Sequence, residues 1–260
     1  MSVTPLRGAG LQDRGVVRIG DTVRRPAGHW RASVHDLLGH LRSSGLDIVP
    51  EPLGTDESGR EVLQFLPGHE QGWPFRPEIL TDEGAFELGR LATRLREAMA
   101  TYPCPPDARW HSRAGAPGPA ESMQHGDLGP WNLLWGESAA VTGVIDWDLA
   151  EPGDPFYDTG FLAWFTVPFM DDARAHTRGF PSPPDRQTRL PAFAQGAGLD
   201  PEHVLRLGFA AQQEFAARVV TRPLEPWPIL LSMGTHESAR SDMEWTQANL
   251  RFPNRPASPQ

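Results

Sequence analysis

The sequence predicts an α+β protein of two lobes: a small N-terminal lobe with an antiparallel sheet and one helix, and a larger, mainly helical C-terminal lobe. Three observations predict this class. Residues 16–66 contain short β-type runs on either side of one amphipathic helical run. The proline- and glycine-rich segment FLPGHEQGWPF then interrupts the pattern at residues 65–75. Beyond residue 80 the apolar periodicity is helical.

The composition restricts the partners that we expect. The 260 residues carry a formal net charge of -9, with 24 Lys and Arg against 33 Asp and Glu. Nucleic-acid binding requires clustered basic residues, so we expect no nucleic-acid partner. The sequence has one cysteine, Cys104, and no apolar run as long as a membrane span. We therefore expect a cytoplasmic protein without a membrane partner.

The N-terminal lobe is expected to span residues 1–66 and to begin with a hairpin. Gly20-Asp21 can supply the positive φ angles of a two-residue hairpin turn. The helix that follows has Val34, Leu37 and further leucines on one face, and Gly45 ends it. The predicted elements are a hairpin at 16–25, a helix at about 31–44 and strands near 48–55 and 61–66.

The C-terminal lobe is expected to span residues 67–252, followed by a flexible tail at 253–260. Its first helix should begin after Thr81, a residue that caps helices well, and should end near Ala100. The helix at 201–220 has the same kind of signal, because Asp200 precedes a proline at the first helical position. Further helices are predicted at about 157–168 and 232–250.

The stretch QHGDLGPWNLLW, residues 124–135, has the clearest chemical meaning. Glycine before Asp127 permits a tight loop, and Asn132 follows five residues later, after a Gly-Pro turn. Residues 133–135 and 141–145 predict a hairpin that places Asp146 next to Asn132. Three side chains with hard oxygen donors then converge, which are the donors that Mg²⁺ prefers.

This spacing is the one that kinases use: an Asp, four residues, an Asn, and a later Asp delivered by a strand. Asp127 would accept or orient the proton of an attacking hydroxyl group. Asn132 and Asp146 would hold Mg²⁺ against the phosphates of a nucleotide. The pattern therefore predicts phosphoryl transfer.

The motifs HGDLGPWN and GVIDWDLAEPGDPFYD resemble those of the aminoglycoside phosphotransferase and choline kinase-like family, a small-molecule branch of the protein-kinase fold. The similarity extends over most of the chain, although only residues 124–158 carry specific motifs. It implies a protein-kinase-like fold, with Asp127 as catalytic base and Asn132 and Asp146 as magnesium ligands. Glycine at position 129 and the lack of an A-P-E signature favour a small-molecule acceptor over a protein substrate.

The resemblance also implies residues that bind the nucleotide and support the loop. ATP or GTP would lie between the lobes, with its base at a hinge near residues 64–68, formed by Gln64, Phe65 and Leu66. His125 would form hydrogen bonds within the catalytic loop. Asp154 and Asp158 match family positions that hold this loop in place through hydrogen bonds to the backbone.

The N-terminal lobe departs from the family pattern. No GxGxxG motif precedes the first predicted strand, and Gly8, Gly10 and Gly15 are scattered. Arg24 is the best match to the lysine expected in the strand TVRR, and arginine differs from lysine in how it contacts phosphate. The following helix offers His35 and Asp36 where a glutamate is expected.

The sequence leaves the acceptor and one alternative class open. The chain could be a nucleotide-binding module without turnover, or a biosynthetic kinase that acts on Ser or Thr of a peptide. The preferred hypothesis is phosphoryl transfer to a hydroxyl of a small molecule, such as an aminoglycoside-like antibiotic or a metabolite. Candidate acceptor contacts are Asp148, Asp171, Asp172, Trp164, Glu214, Trp227, Glu237, Asp242 and Trp245.

Overall fold

The computed structural model describes residues 3–6, 15–136 and 140–250. The N-terminal lobe contains a five-stranded antiparallel sheet with the order β1-β2-β3-β5-β4. One helix, α1, lies between the third and fourth strands. These elements are β1 (Val3–Pro5), β2 (Val17–Ile19), β3 (Thr22–Arg25), α1 (Arg31–Ser43), β4 (Pro52–Thr55) and β5 (Glu61–Gln64).

The predicted hairpin, helix and strand pair of this lobe are confirmed. Gly20 has a φ of 61° in the turn between β2 and β3. The apolar face of α1 is buried, with Val34, Leu37, Leu38 and Leu41 fully inaccessible to solvent. The sequence did not predict β1, which pairs with β2 and makes the predicted hairpin internal to the sheet. Gly8, Gly10 and the predicted tail at 253–260 lie outside the described residues.

The C-terminal lobe is mainly helical and carries two small sheets. One sheet has the strand order β6-β8-β9, and the other pairs β10 with β7. The strands are β6 (His69–Glu70), β7 (Ser122–Gln124), β8 (Leu133–Trp135), β9 (Val141–Val144) and β10 (Glu151–Gly153). The helices are α2 (Asp82–Ala100), α3 (Tyr157–Thr166), α4 (Asp172–Thr177), α5 (Arg186–Ala197), α6 (Pro201–Thr221), α7 (Trp227–Ser232) and α8 (Thr235–Asn249).

The predicted caps are confirmed, whereas three helices escaped prediction. Thr81 accepts a hydrogen bond from the backbone N–H of Gly84, and Asp200 accepts one from that of His203. The helices α4 and α7 are too short to show a clear apolar period, and α5 contains Pro191, which argued against a helix there. The proline- and glycine-rich segment at residues 65–75, which separates the two predicted patterns, contains β6, because its backbone pairs with β8.

The two lobes share buried apolar side chains, and this fixes the cleft between them. One apolar cluster includes Leu37 and Leu41 of α1 together with Leu88 of α2 and Phe161 of α3. Burial of such side chains is the main favourable term in folding. Within the described residues, no helix is long and apolar enough to cross a bilayer.

Candidate active site

The loop that follows β7 is held by a buried carboxylate. Asp158, on α3, accepts hydrogen bonds from the backbone N–H groups of His125 (2.6 Å) and Gly126 (3.0 Å). Gly126 has a φ of 83°, and a Cβ atom there would lie 2.2 Å from the carbonyl oxygen of Leu149. Both the backbone angle and the close packing therefore require glycine.

His125 is fully buried and connects this loop to the end of β9. The backbone N–H of Asp127 donates to Nδ1 of His125 at 3.3 Å, so Nδ1 acts as an acceptor. The proton must then be on Nε2, which lies 3.0 Å from the carbonyl oxygen of Ile145. Burial lowers the pKa of His125, which keeps the ring neutral and fixes this tautomer.

Asp127 extends from the loop toward the cleft. Its Oδ2 accepts hydrogen bonds from Nε1 of Trp131 at 3.2 Å and from Nδ2 of Asn132 at 2.9 Å. Within the described part of the chain, its Oδ1 has no hydrogen-bond partner. Burial is the main cause that raises the pKa of Asp127 to about 7, and the charge of Asp146 adds to it.

Asn132 and Asp146 meet where the β8–β9 hairpin closes. The backbone N–H of Ile145 donates to the carbonyl oxygen of Asn132 at 2.9 Å, and this bond places the next residue, Asp146, beside Asn132. Among the described residues, Asp146 is the only non-glycine residue with a positive φ, which is 61°. Such strained backbone is concentrated at functional sites, because packing must hold it there.

The donors around this hairpin fit Mg²⁺ in the presence of a nucleotide. The NH₂ group of Asn132 donates to the carbonyl oxygen and the carboxylate of Asp127, so the amide oxygen is left to face a cation. The Asp146 side chain is 47% exposed. No group of three or more His, Cys, Asp or Glu suited to a metal occurs in residues 3–6, 15–136 and 140–250. Water and phosphate oxygens would have to complete the coordination.

Arg25 lies at the edge of the cleft, against two of its lining carboxylates, and Arg24 does not. Nη2 of Arg25 is 2.7 Å from Oδ1 of Asp148, and its Nη1 is 3.3 Å from Oδ1 of Asp146. Arg24 points to the other face of the sheet, where it pairs with Asp56 at 3.4 Å. The structure therefore corrects the expectation for Arg24, because successive side chains of a strand point to opposite faces.

Glu61 completes the surroundings of Arg25 from the neighbouring strand. It forms an ion pair with Nε of Arg25, and its Oε1 lies 2.7 Å from Nε2 of His35 on α1. Burial opposes ionisation of Glu61, but the hydrogen bond with His35 and the charge of Arg25 lower its pKa. His35 of α1 is thus connected to Arg25 through Glu61 of β5.

The backbone of the predicted hinge is already partly engaged. The N–H groups of Gln64 and Phe65 donate to the carbonyl oxygens of Glu51 and Asp21, each at 2.9 Å. The Leu66 N–H has no such acceptor among the described residues. A nucleotide base would therefore have to use Leu66 or the carbonyl groups of this segment.

The remaining predicted residues have different positions. Asp154 is exposed and accepts a hydrogen bond from the N–H of Phe156 at 2.7 Å, so it stabilises the start of α3 and does not contact the loop at 125–129. Among the acceptor candidates, Asp148 lies in the cleft, where Nε1 of Trp30 donates to it at 3.0 Å. Asp242 is buried against Trp164 at 2.9 Å. Five further candidates each contact a neighbouring side chain or backbone group: Asp171, Asp172, Glu214, Trp227 and Trp245.

Several cleft residues were not found from the sequence. The cleft, about 170 Å³ in volume, is lined by Asp127, Asp146 and Asp148 and also by Trp30, His111 and Glu225. The alternation of the strand TVRR places Arg24 and Arg25 on opposite faces of the sheet, but it does not determine which face meets the cleft. The sequence around Trp30, Glu61, His111 and Glu225 has no comparable signal, because distant segments bring these residues to the cleft.

Comparisons with known proteins show which family the chain is similar to. Residues 73–191 match the family described as "Phosphotransferase enzyme family". The trifolitoxin immunity protein of Rhizobium leguminosarum bv. trifolii is 31% identical in an alignment of 191 residues that covers 71% of this chain and 70% of that protein.

Two solved structures have a similar fold at low sequence identity. A GDP complex of a variant of aminoglycoside 2'-phosphotransferase-IIIa gives a TM-score of 0.55 at 14% identity, covering 95% of this chain and 92% of that chain. A choline/ethanolamine kinase family protein from Mesorhizobium loti gives 0.51 at 14% identity, covering 92% and 85%. The predicted bilobal, protein-kinase-like fold is thereby confirmed.

Proposed function

This chain belongs to the phosphotransferase enzyme family, whose members phosphorylate hydroxyl groups, and we propose that it transfers the γ-phosphoryl group of ATP or GTP to a small-molecule acceptor. The observation that carries this proposal is that Asp127 and Asp146 line one cleft between the lobes, while the side chain of Asn132 donates a hydrogen bond to Asp127. The GDP bound in a structure of the same fold supports a nucleotide donor.

Asp127 is the proposed catalytic base. Trp131 and Asn132 hold one carboxylate oxygen, which leaves Oδ1 to accept a hydrogen bond from the acceptor hydroxyl. As the hydroxyl oxygen forms its bond to the γ-phosphorus, the bond from that phosphorus to the β–γ bridging oxygen breaks. The hydroxyl proton passes to Asp127, and the nucleoside diphosphate leaves.

Asn132 and Asp146 are the proposed ligands of Mg²⁺. The ion, when bound, would neutralise charge on the transferring phosphates. The hydrogen bond between the Ile145 N–H and the Asn132 carbonyl oxygen keeps the two residues on adjoining backbone before the nucleotide enters. This reduces the reorganisation needed to form the complex.

Arg25 is the proposed cationic contact to the nucleotide phosphates, in place of Arg24. Its guanidinium group is held by Glu61 and Asp148 and lies near Asp146. These carboxylates orient it toward the side of the cleft where phosphates would meet Mg²⁺. The segment Gln64 to Leu66 is the proposed hinge, with the Leu66 N–H as its free donor to the base.

A toxic natural product is the acceptor class that the relatives favour. One relative is named for immunity to trifolitoxin, and one structural neighbour is named an aminoglycoside phosphotransferase. Phosphorylation of a hydroxyl adds up to about two negative charges, which is sufficient to disturb recognition of a toxin by its target. A host metabolite is the second candidate, in line with the neighbour from the choline/ethanolamine kinase family.

The test is a transfer assay with γ-labelled ATP and GTP, with and without Mg²⁺. The panel should contain kanamycin, choline, homoserine, a macrolide, nucleosides and serine-containing peptides. We expect Mg²⁺-dependent transfer that Asp127→Asn reduces by about 10²- to 10⁴-fold, the usual contribution of a catalytic base. Nucleotide binding without hydrolysis or transfer would instead indicate a binding module without turnover.

A further inference from the structure

A second, larger cavity adjoins the catalytic cleft. Its volume is about 460 Å³, and His111 lines both spaces. Leu224 lines the larger cavity, and the next residue, Glu225, lines the cleft. The larger cavity therefore lies directly beside the cleft that contains Asp127.

The lining of this cavity is mainly positively charged, because it contains Arg109, Arg113 and Arg222. We call the cavity the arginine pocket. His29 and His111 also line it. Among its described lining residues, none is an aspartate or a glutamate.

The carboxylates that pair with two of these arginines lie behind the pocket wall. Arg113 pairs with Glu121 at 2.8 Å, and Arg222 pairs with buried Glu151. Neither carboxylate belongs to the lining, so both groups face the arginines from outside the cavity.

Hydrogen-bonding capacity is left over in the pocket. Arg109 is exposed, and no carboxylate of the described residues forms an ion pair with its side chain. Nη1 of Arg222 is buried and has no hydrogen-bond partner among those residues. Glu151 must also serve Arg218, whose Nη2 lies 3.9 Å away. One buried carboxylate is therefore shared by two arginines. Arg109 is the arginine of the pocket that can bind a further anionic partner from the cavity side.

The neighbouring cleft has the opposite charge. Asp127, Asp146, Asp148 and Glu225 line it, and Arg25 is the cation at its edge. A molecule that spans both spaces would be oriented by this contrast, with an uncharged hydroxyl at Asp127 and a negative group among the arginines. A polyamine would meet like charges in the arginine pocket, which is unfavourable.

We propose that the arginine pocket binds a carboxylate group of the acceptor, so that the substrate is a hydroxylated acid and not a polycationic aminoglycoside. This proposal rests on the proposed function, because it treats the pocket as the part of the acceptor site remote from the reacting hydroxyl. It narrows the acceptor class to compounds with a carboxylate on one side of the molecule and a hydroxyl on the other.

Calorimetric titration with two probes of opposite charge, tricarballylate and kanamycin, tests the proposal in the presence and absence of MgADP. We expect tricarballylate to bind the wild type and kanamycin to bind more weakly. Arg109→Glu should weaken tricarballylate by about tenfold or more, the effect of losing one charge-assisted hydrogen bond. Arg94→Glu, a charge reversal at an exposed arginine on α2, is the matched control and should bind as the wild type does.

Each other outcome would overturn the assignment. The carboxylate site would be rejected if kanamycin bound more tightly than tricarballylate. It would also be rejected if Arg109→Glu bound tricarballylate as tightly as the wild type does. Competition between MgADP and tricarballylate would assign the arginines to the nucleotide. If Arg109→Glu has an altered circular dichroism spectrum, Arg109→Gln replaces it. Probe binding needs no turnover, so a failed transfer assay with intact tricarballylate binding would reject the proposed function alone.

Discussion

Arg25 of β3 forms an ion pair with Asp148, with 2.7 Å between Nη2 and Oδ1, and this pair joins the sheet of the small lobe to the floor of the cleft. The same guanidinium group contacts Glu61 on the neighbouring strand and lies 3.3 Å from Asp146. One side chain therefore connects the two lobes at the proposed metal site.

Replacement of Arg25 by alanine should reduce both stability and transfer. Glu61 and Asp148 would each lose the ion pair with Arg25 while staying largely buried, and breaking a buried ion pair typically costs about 3–5 kcal/mol. Arg24→Ala is the matched control, since Arg24 precedes it in the same strand and faces Asp56 instead. Urea unfolding and the transfer rate should both show a large loss for Arg25→Ala and a small one for Arg24→Ala. Equal effects of the two variants would contradict the assignment of Arg25.

The transfer rate should fall in acid because Asp127 must be ionised to accept a proton. Burial raises the pKa of Asp127 to about 7. In the free enzyme, kcat/KM should therefore fall by about tenfold per pH unit below that value and level off above it. A profile measured at saturating Mg²⁺ and nucleotide reports the complex, in which a nearby cation lowers the midpoint. A kcat/KM that does not change between about pH 5 and about pH 8 would exclude Asp127 as the base.

Gly126→Ala should disrupt the catalytic loop. The positive φ costs an alanine about 1–2 kcal/mol, and its Cβ would approach the carbonyl oxygen of Leu149 to 2.2 Å. Gly39→Ala is a matched substitution on the exposed face of α1, where a Cβ meets nothing within 4 Å. We expect that variant to be more stable by up to about 1 kcal/mol because alanine favours helices. Thermal unfolding and transfer assays of both variants test this contrast.

Asp242 should make the protein less stable as the pH rises. Burial raises its pKa to about 6, against the opposing influence of Arg174 and of the Trp164 hydrogen bond. Above its ordinary value of 3.8 the unfolded chain releases this proton, while the folded state keeps it until about pH 6. The free energy of unfolding should therefore fall by about 3 kcal/mol across that pH window because of this group.

Asp242→Asn should remove this pH dependence. The free energy of unfolding of Asp242→Asn minus that of the wild type should rise between about pH 4 and about pH 6. Above about pH 6 this difference should stay constant. Denaturant unfolding at several pH values measures the difference, with Glu244→Gln on the same helix as an exposed control. A difference that does not change with pH would show that the carboxyl group has the same pKa in both states.

The sequence was sufficient for the local parts of the candidate site. Asp127 and Asn132 lie within six residues of chain, so one loop and one turn determine their separation. Asp146 follows a predicted hairpin, and a hairpin brings its ends together by construction. The caps at Thr81 and Asp200 are equally local, since each depends on a side chain and an N–H group three residues away.

The sequence by itself determined the hairpin of β2 and β3, the longer helices α1, α2, α3, α6 and α8, the caps, and the grouping of Asp127, Asn132 and Asp146. These features depend on contacts between residues close in the chain. Only the tertiary structure decided that Arg25 enters the cleft, because the pairing of β3 with β5 sets which arginine faces Glu61. It also decided the sign of charge in the arginine pocket, whose walls come from segments near residues 29, 109–114 and 221–224. Such long-range packing has no periodic signature in the sequence, since it depends on how separate elements bury their apolar faces together.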